Sequence, residues 1–255
     1  MAVGKILTFG TGKVGSVGSG KLIGYKPFLL DYNPYIWLNN DLNTMSVDGS
    51  NRLAQWSDIS GNNRHFTQAN GSNKPQYATG LINGQSGVNF DGATTGKYMA
   101  HTLASQLTGV VEIFMVARML TAPSTYPYYY GGISNVNRII HYWYSNEYRL
   151  VTTDSGGTAF PVVKTPQTIP TGFQFINSTF DGTNSEYREN GTLISSSIAL
   201  RSAIIDGFTL GSSPGNTDTI ARMNGTFCEF AVFNYKLSPT QRTEVNNYFK
   251  EKYGL

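Results

Sequence analysis

A chain of 255 residues can bury one large core, and all-β sandwiches often reach that length as a single domain, so length does not require two. Charged residues make up only 14% and aromatic residues 13%, and the 28 glycines complete a balance suited to short strands joined by many turns. The net charge of +3 comes without a stripe of Lys or Arg, which leaves nucleic-acid binding no electrostatic footprint, and the single cysteine, Cys228, excludes an intrachain disulfide and a cysteine-based zinc site.

Residues 1–30 read as an extended Gly-rich arm. Gly-Lys recurs at 4–5, 12–13 and 20–21, and a segment so rich in glycine buries little surface and holds no helix. The arm is expected to anchor the chain or contact other subunits, with Lys5, Lys13 and Lys21 as contact residues. Its opening residues form too short an apolar run for a secretory signal, and no stretch of the chain approaches a membrane span, so membrane insertion is not expected. Two glycine patterns in the arm imitate nucleotide loops. The Gly10–Gly15 stretch matches the dinucleotide fingerprint but runs on into more glycine instead of a helix, and the Gly15–Lys21 stretch ends in Leu22 where a phosphate loop needs Ser or Thr.

Residues 31–255 read as one domain of strands and turns. Val110–Met119 alternates Val111, Ile113, Met115 and Ala117 on one face with Phe114 and Val116 on the other, the pattern of a central strand covered on both sides. Arg138–Tyr144, Tyr148–Thr153 and Phe173–Phe180 are further strands. Glu186–Glu189 and Thr192–Ser196 flank Asn190-Gly191, whose residues tolerate positive φ and so predict a hairpin. Phe208–Leu210 and Gly225–Phe233 complete the set, the latter carrying Cys228 as a buried thiol. One helix closes the chain: Ser238 caps it, Pro239 takes the first position, Gln241 completes a capping box and Gly254 ends it. Its apolar face is Val245, Tyr248 and Phe249 with Tyr253 or Leu255.

The order of several motifs resembles the concanavalin A-like lectin and glucanase superfamily, the laminin-G-like jelly roll. They are Pro34-Tyr35-Ile36-Trp37-Leu38, Trp56-Ser57-Asp58-Ile59-Ser60-Gly61-Asn62, Pro75-Gln76-Tyr77 and Val88-Asn89-Phe90-Asp91-Gly92. In the distal half follow Thr179-Phe180-Asp181-Gly182, Glu189-Asn190-Gly191, Phe208-Thr209-Leu210-Gly211, Gly225-Thr226-Phe227 and Leu237-Ser238-Pro239-Thr240-Gln241. The resemblance implies an all-β fold, a two-sheet antiparallel jelly-roll sandwich with the N-terminal arm outside it and the one C-terminal helix upon it. Joined to a short Gly-rich arm and no signal peptide, it also looks like bacteriophage virion proteins, fibres and surface decorations in particular. Location at the virion surface, a homo-oligomer (a trimer foremost), contact with other virion proteins through the arm and attachment to host glycans follow as expectations. A free carbohydrate-binding module or adhesin, reaching the outside by a non-classical route, is the alternative, and a glycoside hydrolase is the third reading.

Chemistry is sparse. Glucanases of this fold set paired carboxylates on one strand face. Here Glu186 and Glu189 are three apart, which on a strand points them oppositely, and Glu112 and Glu229 stand alone, so no catalytic residue is assigned. Gly211-Ser212-Ser213-Pro214-Gly215 has nucleophile-elbow spacing but reads as a turn. His65, His101 and His141 lack ligand spacing, no metal site is assigned and no cofactor is expected. Calcium on Asp48, Asp58, Asp91 or Asp181 stays open, with Asp58 and Asp91 read first as turn residues. The remaining constellation is aromatic: Tyr126, Tyr128–Tyr130, Arg138, His141–Tyr144 and Tyr148. Rings stack on the apolar faces of sugars, and Tyr128, Tyr130, Arg138, His141, Trp143 and Tyr148 are the expected glycan-binding residues. Alternation places His141 with Trp143 and Tyr142 with Tyr144, without saying which pair is outside.

Overall fold

The computed structural model describes residues 28–92, 96–121, 126–154, 156–159, 161–164, 171–213 and 221–255. Its first strands are β1 (Ile36–Leu38), β2 (Met45–Val47), β3 (Leu53–Trp56), β4 (Phe66–Thr67), β5 (Gln76–Ala78) and β6 (Gly87–Phe90). Next come β7 (Met99–Gly109), β8 (Val111–Thr121), β9 (Tyr128–Gly131), β10 (Arg138–Tyr144), β11 (Glu147–Asp154), β12 (Gly157–Ala159) and β13 (Val162–Lys164). The chain closes with β14 (Gln174–Phe180), β15 (Ser185–Glu189), β16 (Thr192–Ile198), β17 (Ala203–Leu210), β18 (Asn224–Phe233) and helix α1 (Pro239–Tyr253).

Among the described residues these strands make two antiparallel sheets. One has eight strands in the order β16-β15-β14-β8-β18-β6-β5, with β1 beside β18. The other has ten, in the order β12-β11-β10-β9-β17-β7-β4-β3-β2, with β13 beside β11. The expected two-sheet sandwich with one terminal helix is therefore the observed architecture, and Lys5, Lys13 and Lys21 lie outside the described residues.

Strand β8 shows why the layers form. Val111, Ile113, Met115, Ala117 and Met119 enter the core between the sheets, while Phe114 and Val116 face away from it into a second apolar layer under α1. There Phe175 stacks on Phe249 at 4.7 Å and Phe114 on Phe175 at 6.0 Å. Full burial of such a ring removes apolar surface worth about 1.5–3 kcal/mol from water. The helix itself begins and ends where its sequence dictates. Ser238 and Gln241 form a reciprocal capping box, Pro239 opens the first turn, and Gly254 closes the last at φ 69°.

Two buried carboxylates fix α1 on the sheet. Glu112 accepts hydrogen bonds from Arg242 Nε (2.7 Å), Asn177 Nδ2 (3.1 Å) and the Leu237 amide (2.7 Å). Glu229 accepts from Trp37 Nε1 (2.6 Å), Tyr248 (2.9 Å), Lys252 (2.6 Å) and Tyr253 (2.7 Å). A bulge in β18 between Phe227 and Glu229 turns both Cys228 and Glu229 towards the helix. Cys228 is buried, as expected, and burial pushes its thiol up to about 12.

The eight-stranded sheet is thus covered on both faces, by the core and by α1. Among the described residues no helix lies on the outer face of the ten-stranded sheet. That face is where side chains meet the surroundings.

Candidate functional site

The hairpin of β10 and β11 builds this outer face. Its two-residue loop, Ser145-Asn146, holds φ of 48° and 67°, the left-handed pair that fits the twist of a tight hairpin. The loop fixes the register, setting Tyr144 opposite Glu147, Tyr142 opposite Arg149, Ile140 opposite Val151 and Arg138 opposite Thr153. Strand alternation then sends Ile139, His141 and Trp143 inward with Tyr148 and Leu150, and these even–odd partners the other way.

Four of the six expected binding residues therefore sit in the core. Tyr130, His141 and Tyr148 have no solvent exposure and Trp143 is 5% exposed, which withdraws them from any surface on which a sugar could stack. His141 lies among Tyr129, Tyr130, Tyr148 and Tyr187 at centroid distances of 5.0, 5.8, 5.5 and 5.4 Å. Among the described residues neither of its ring nitrogens has a hydrogen-bond partner, and burial pulls its pKa down to about 3. Tyr128 and Tyr130 are separated by a bulge: Tyr128 pairs with Tyr142 and Tyr130 with His141, so Tyr129 is an extra residue and the two rings leave opposite faces.

Outside, a stripe of tyrosines crosses β9 and β10. Tyr126 stacks on Tyr144 at 4.7 Å and lies 6.1 Å from Tyr142, and Tyr128 tilts against Tyr142 at 5.5 Å. Tyr126, Tyr128 and Tyr144 are partly exposed, and with Tyr142 they roof Ile140 and Val151. An arginine stands at each end. At one end Arg149 reaches over the Tyr144 ring at 5.1 Å while Glu147 accepts from its Nε at 2.9 Å, a pairing that raises the Arg149 pKa. At the other, the aliphatic stem of Arg138 lies over Gly132, where an added Cβ would come within 2.4 Å of it. From Arg138 to Tyr144 the strand advances six residues, about 20 Å. Burial raises the pKa of the central ring, Tyr142, which keeps its phenol neutral at physiological pH.

The other groups considered from sequence are engaged elsewhere. Glu186 bonds Arg188 (2.5 Å) and Lys236 (3.2 Å), and Glu189 bonds Tyr187 (2.8 Å) and Lys164. Asp58 is the turn residue expected, accepting from the Trp37, Ser60 and Arg64 amides at 2.8, 2.9 and 3.0 Å. A polar cleft of about 560 Å³ opens at one end of the sandwich beside Asp154, Asp181 and Arg201, where Arg201 pairs with Asp154 at 3.5 Å and Lys236 approaches Asp181 at 4.0 Å. The glycine fingerprint at 10–15 and residues 214–215 of the elbow-like motif lie outside the described residues.

Comparison with known proteins supports the fold and nothing finer. No family model and no curated relative matches the sequence. Among solved structures, the binding domain of Paraclostridial Mosquitocidal Protein 1 superposes with a TM-score of 0.62 at 12% identity, over 86% of this chain and 53% of that one. Trypanosoma rangeli sialidase in complex with sialic acid gives 0.58 at 11%, over 85% and 33%. The receptor binding domain of botulinum neurotoxin D gives 0.57 at 12%, over 88% and 54%. The chain thus spans about half the length of the toxin domains and a third of the sialidase, and identities this low speak to the sandwich alone.

Proposed function

We propose that this chain is a non-enzymatic recognition module that attaches to surface glycans through the tyrosine stripe on its ten-stranded sheet. The observation carrying this reading is the row of partly exposed rings, Tyr126, Tyr128 and Tyr144, on the sheet face that no helix covers among the described residues. Phenol rings offer flat apolar faces to sugar C–H groups, and their hydroxyls exchange hydrogen bonds with sugar hydroxyls. Two neighbours are binding domains of toxins and one is a sialidase holding sialic acid, which accords with a binding role on this scaffold. The commitment of Glu112, Glu229, Glu186 and Glu189 to cations and backbone favours recognition over hydrolysis.

In its finer form the proposal places the module on a virion surface, in several copies, held by the repeated Gly-Lys segment of residues 1–30. A shallow site binds weakly, and multiple copies strengthen attachment without new contacts. Deletion of residues 1–26, which spares the buried Leu29, then removes the protein from particles while leaving the sandwich folded; retention of the truncated protein on particles would remove the arm from the account. A free adhesin would use the same face without the arm.

The test of the binding face is a glycan array followed by titration of the best ligand. Tyr126→Ala with Tyr144→Ala is expected to weaken binding about tenfold, from a few tenths to about 1.5 kcal/mol per ring. Unchanged affinity in the double variant, or an array without any bound glycan, overturns the proposal.

A further inference from the structure

The tyrosine stripe does not stop at β10. Register carries one row of it across four strands: Tyr128 stands opposite Tyr142, Tyr142 opposite Arg149 and Arg149 opposite Val162, and residues paired in this way share a face. At about 4.8 Å between strands the row spans about 14 Å, long enough for a short oligosaccharide, and Val162 at its far end is 40% exposed. In the next row Tyr144 stands opposite Glu147, and the Glu147–Arg149 ion pair ties the two rows together along β11. Arg149 Nε and Nη2 both donate to one oxygen, Glu147 Oε2, at 2.9 and 2.5 Å. The guanidinium also lies over the Tyr144 ring and against the Tyr142 phenol. Glu147 Oε1 remains an acceptor for a ligand, and the side chains of Glu147 and Arg149 are 26% and 24% exposed. The other cations nearby are turned away or distant. Lys164 on β13 stands opposite the inward Tyr148 and bonds Glu189, and Arg138 lies about 20 Å along β10 from Tyr144, beyond the screening length of about 8 Å at physiological salt.

Resting on the glycan-binding reading above, we infer that Glu147 sets the charge of the ligand: by answering Arg149 within its own strand, it commits this platform to an uncharged oligosaccharide. A carboxylate or sulfate placed here meets a cation already paired. It must either part Arg149 from Glu147 or give up its hydration without a partner, and both oppose binding. Sugar hydroxyls meet no such cost. They donate to Glu147 Oε1 and accept from the guanidinium N–H groups that Glu147 leaves over, while the rings lie along the tyrosines. Selection of this kind works by rejecting the wrong ligand as much as by attracting the right one.

An array that prints neutral oligosaccharides beside their uronate and sulfated forms, followed by titration calorimetry of matched pairs, tests this on the full chain. The neutral member of a pair is expected to bind about tenfold or more tightly than its acid, the value of a hydrogen bond to a charged group. Glu147→Gln uncovers Arg149 and raises the affinity for the acid about tenfold, which closes the gap. Glu147→Asp, which keeps the charge, preserves the gap. Arg149→Gln leaves the acid as weak as before or weaker. An ion pair that served packing alone would shift both Gln variants alike, so their opposite response is the diagnostic result. A parent that prefers acids, or an unchanged preference in Glu147→Gln, overturns the role of Glu147 while sparing the tyrosine platform. Failure of every glycan to bind overturns the platform itself, and this inference with it.

Discussion

His141 allows the packing of the two sheets to be tested through a single titration. Its imidazole is fully buried among four tyrosines with both nitrogens unpaired, and burial holds its pKa at about 3 against 6.5 for the free side chain. The folded state thus resists a proton that the unfolded chain accepts. Above about pH 6.5 His141 is neutral in both states and adds no pH dependence, and stability is lost as the pH falls from there towards the folded value near 3. At about 1.36 kcal/mol per unit, the loss between pH 6.5 and pH 4 comes to about 3 kcal/mol. His141→Leu replaces the imidazole with an apolar side chain of similar volume and removes two unpaired polar atoms. Guanidinium chloride titrations of parent and variant, from about pH 7.5 to about pH 4, isolate the effect because every other titrating group cancels in the difference. At neutral pH the variant is expected within about 1.5 kcal/mol of the parent. By pH 4 it gains about 3 kcal/mol relative to the parent. A difference that stays constant with pH would refute the burial on which the inward assignment of this face depends.

The helix attachments give two further tests. Arg242→Met strands the Glu112 carboxylate at zero exposure and is expected to cost about 3–5 kcal/mol by chemical denaturation. Glu112→Met added to it recovers a large part of that loss, and a double variant as unstable as the single one would contradict the account. Ser238→Ala removes the cap on the Gln241 amide and is expected to cost about 1 kcal/mol, a fall of about 2–4 °C in Tm by calorimetry.

The fold was legible wherever local chemistry and tertiary packing agree. Asn190-Gly191 turns at φ of 49° and 81°, the β10 segment runs over the residues its pattern names, and α1 starts and stops at its capping residues. Strand β7 escapes such reading because its inward residues, Met99, Leu103 and Leu107, are four apart and separated by partly or fully exposed residues, and its pairing with β17 shifts register between Ile205 and Gly207. The site was half legible. Period two groups Tyr142 with Tyr144 and His141 with Trp143, but the choice of face is made by the opposite sheet, where Tyr187 closes on His141. The bulge at Tyr129 defeats alternation outright and sends Tyr130 inward. Arg149 was within reach: a two-residue loop at Ser145-Asn146 sets it opposite Tyr142.

Hydroxyl-radical footprinting of the tyrosines, with and without a bound oligosaccharide, asks most directly which face of the ten-stranded sheet recognises ligand. Tyr126, Tyr128 and Tyr144 are expected to react in the free protein and to be protected on binding, while Tyr130 and Tyr148 stay unreactive throughout. Protection elsewhere with the outer tyrosines still reactive, or ready labelling of Tyr130 and Tyr148 in the folded protein, would contradict the account.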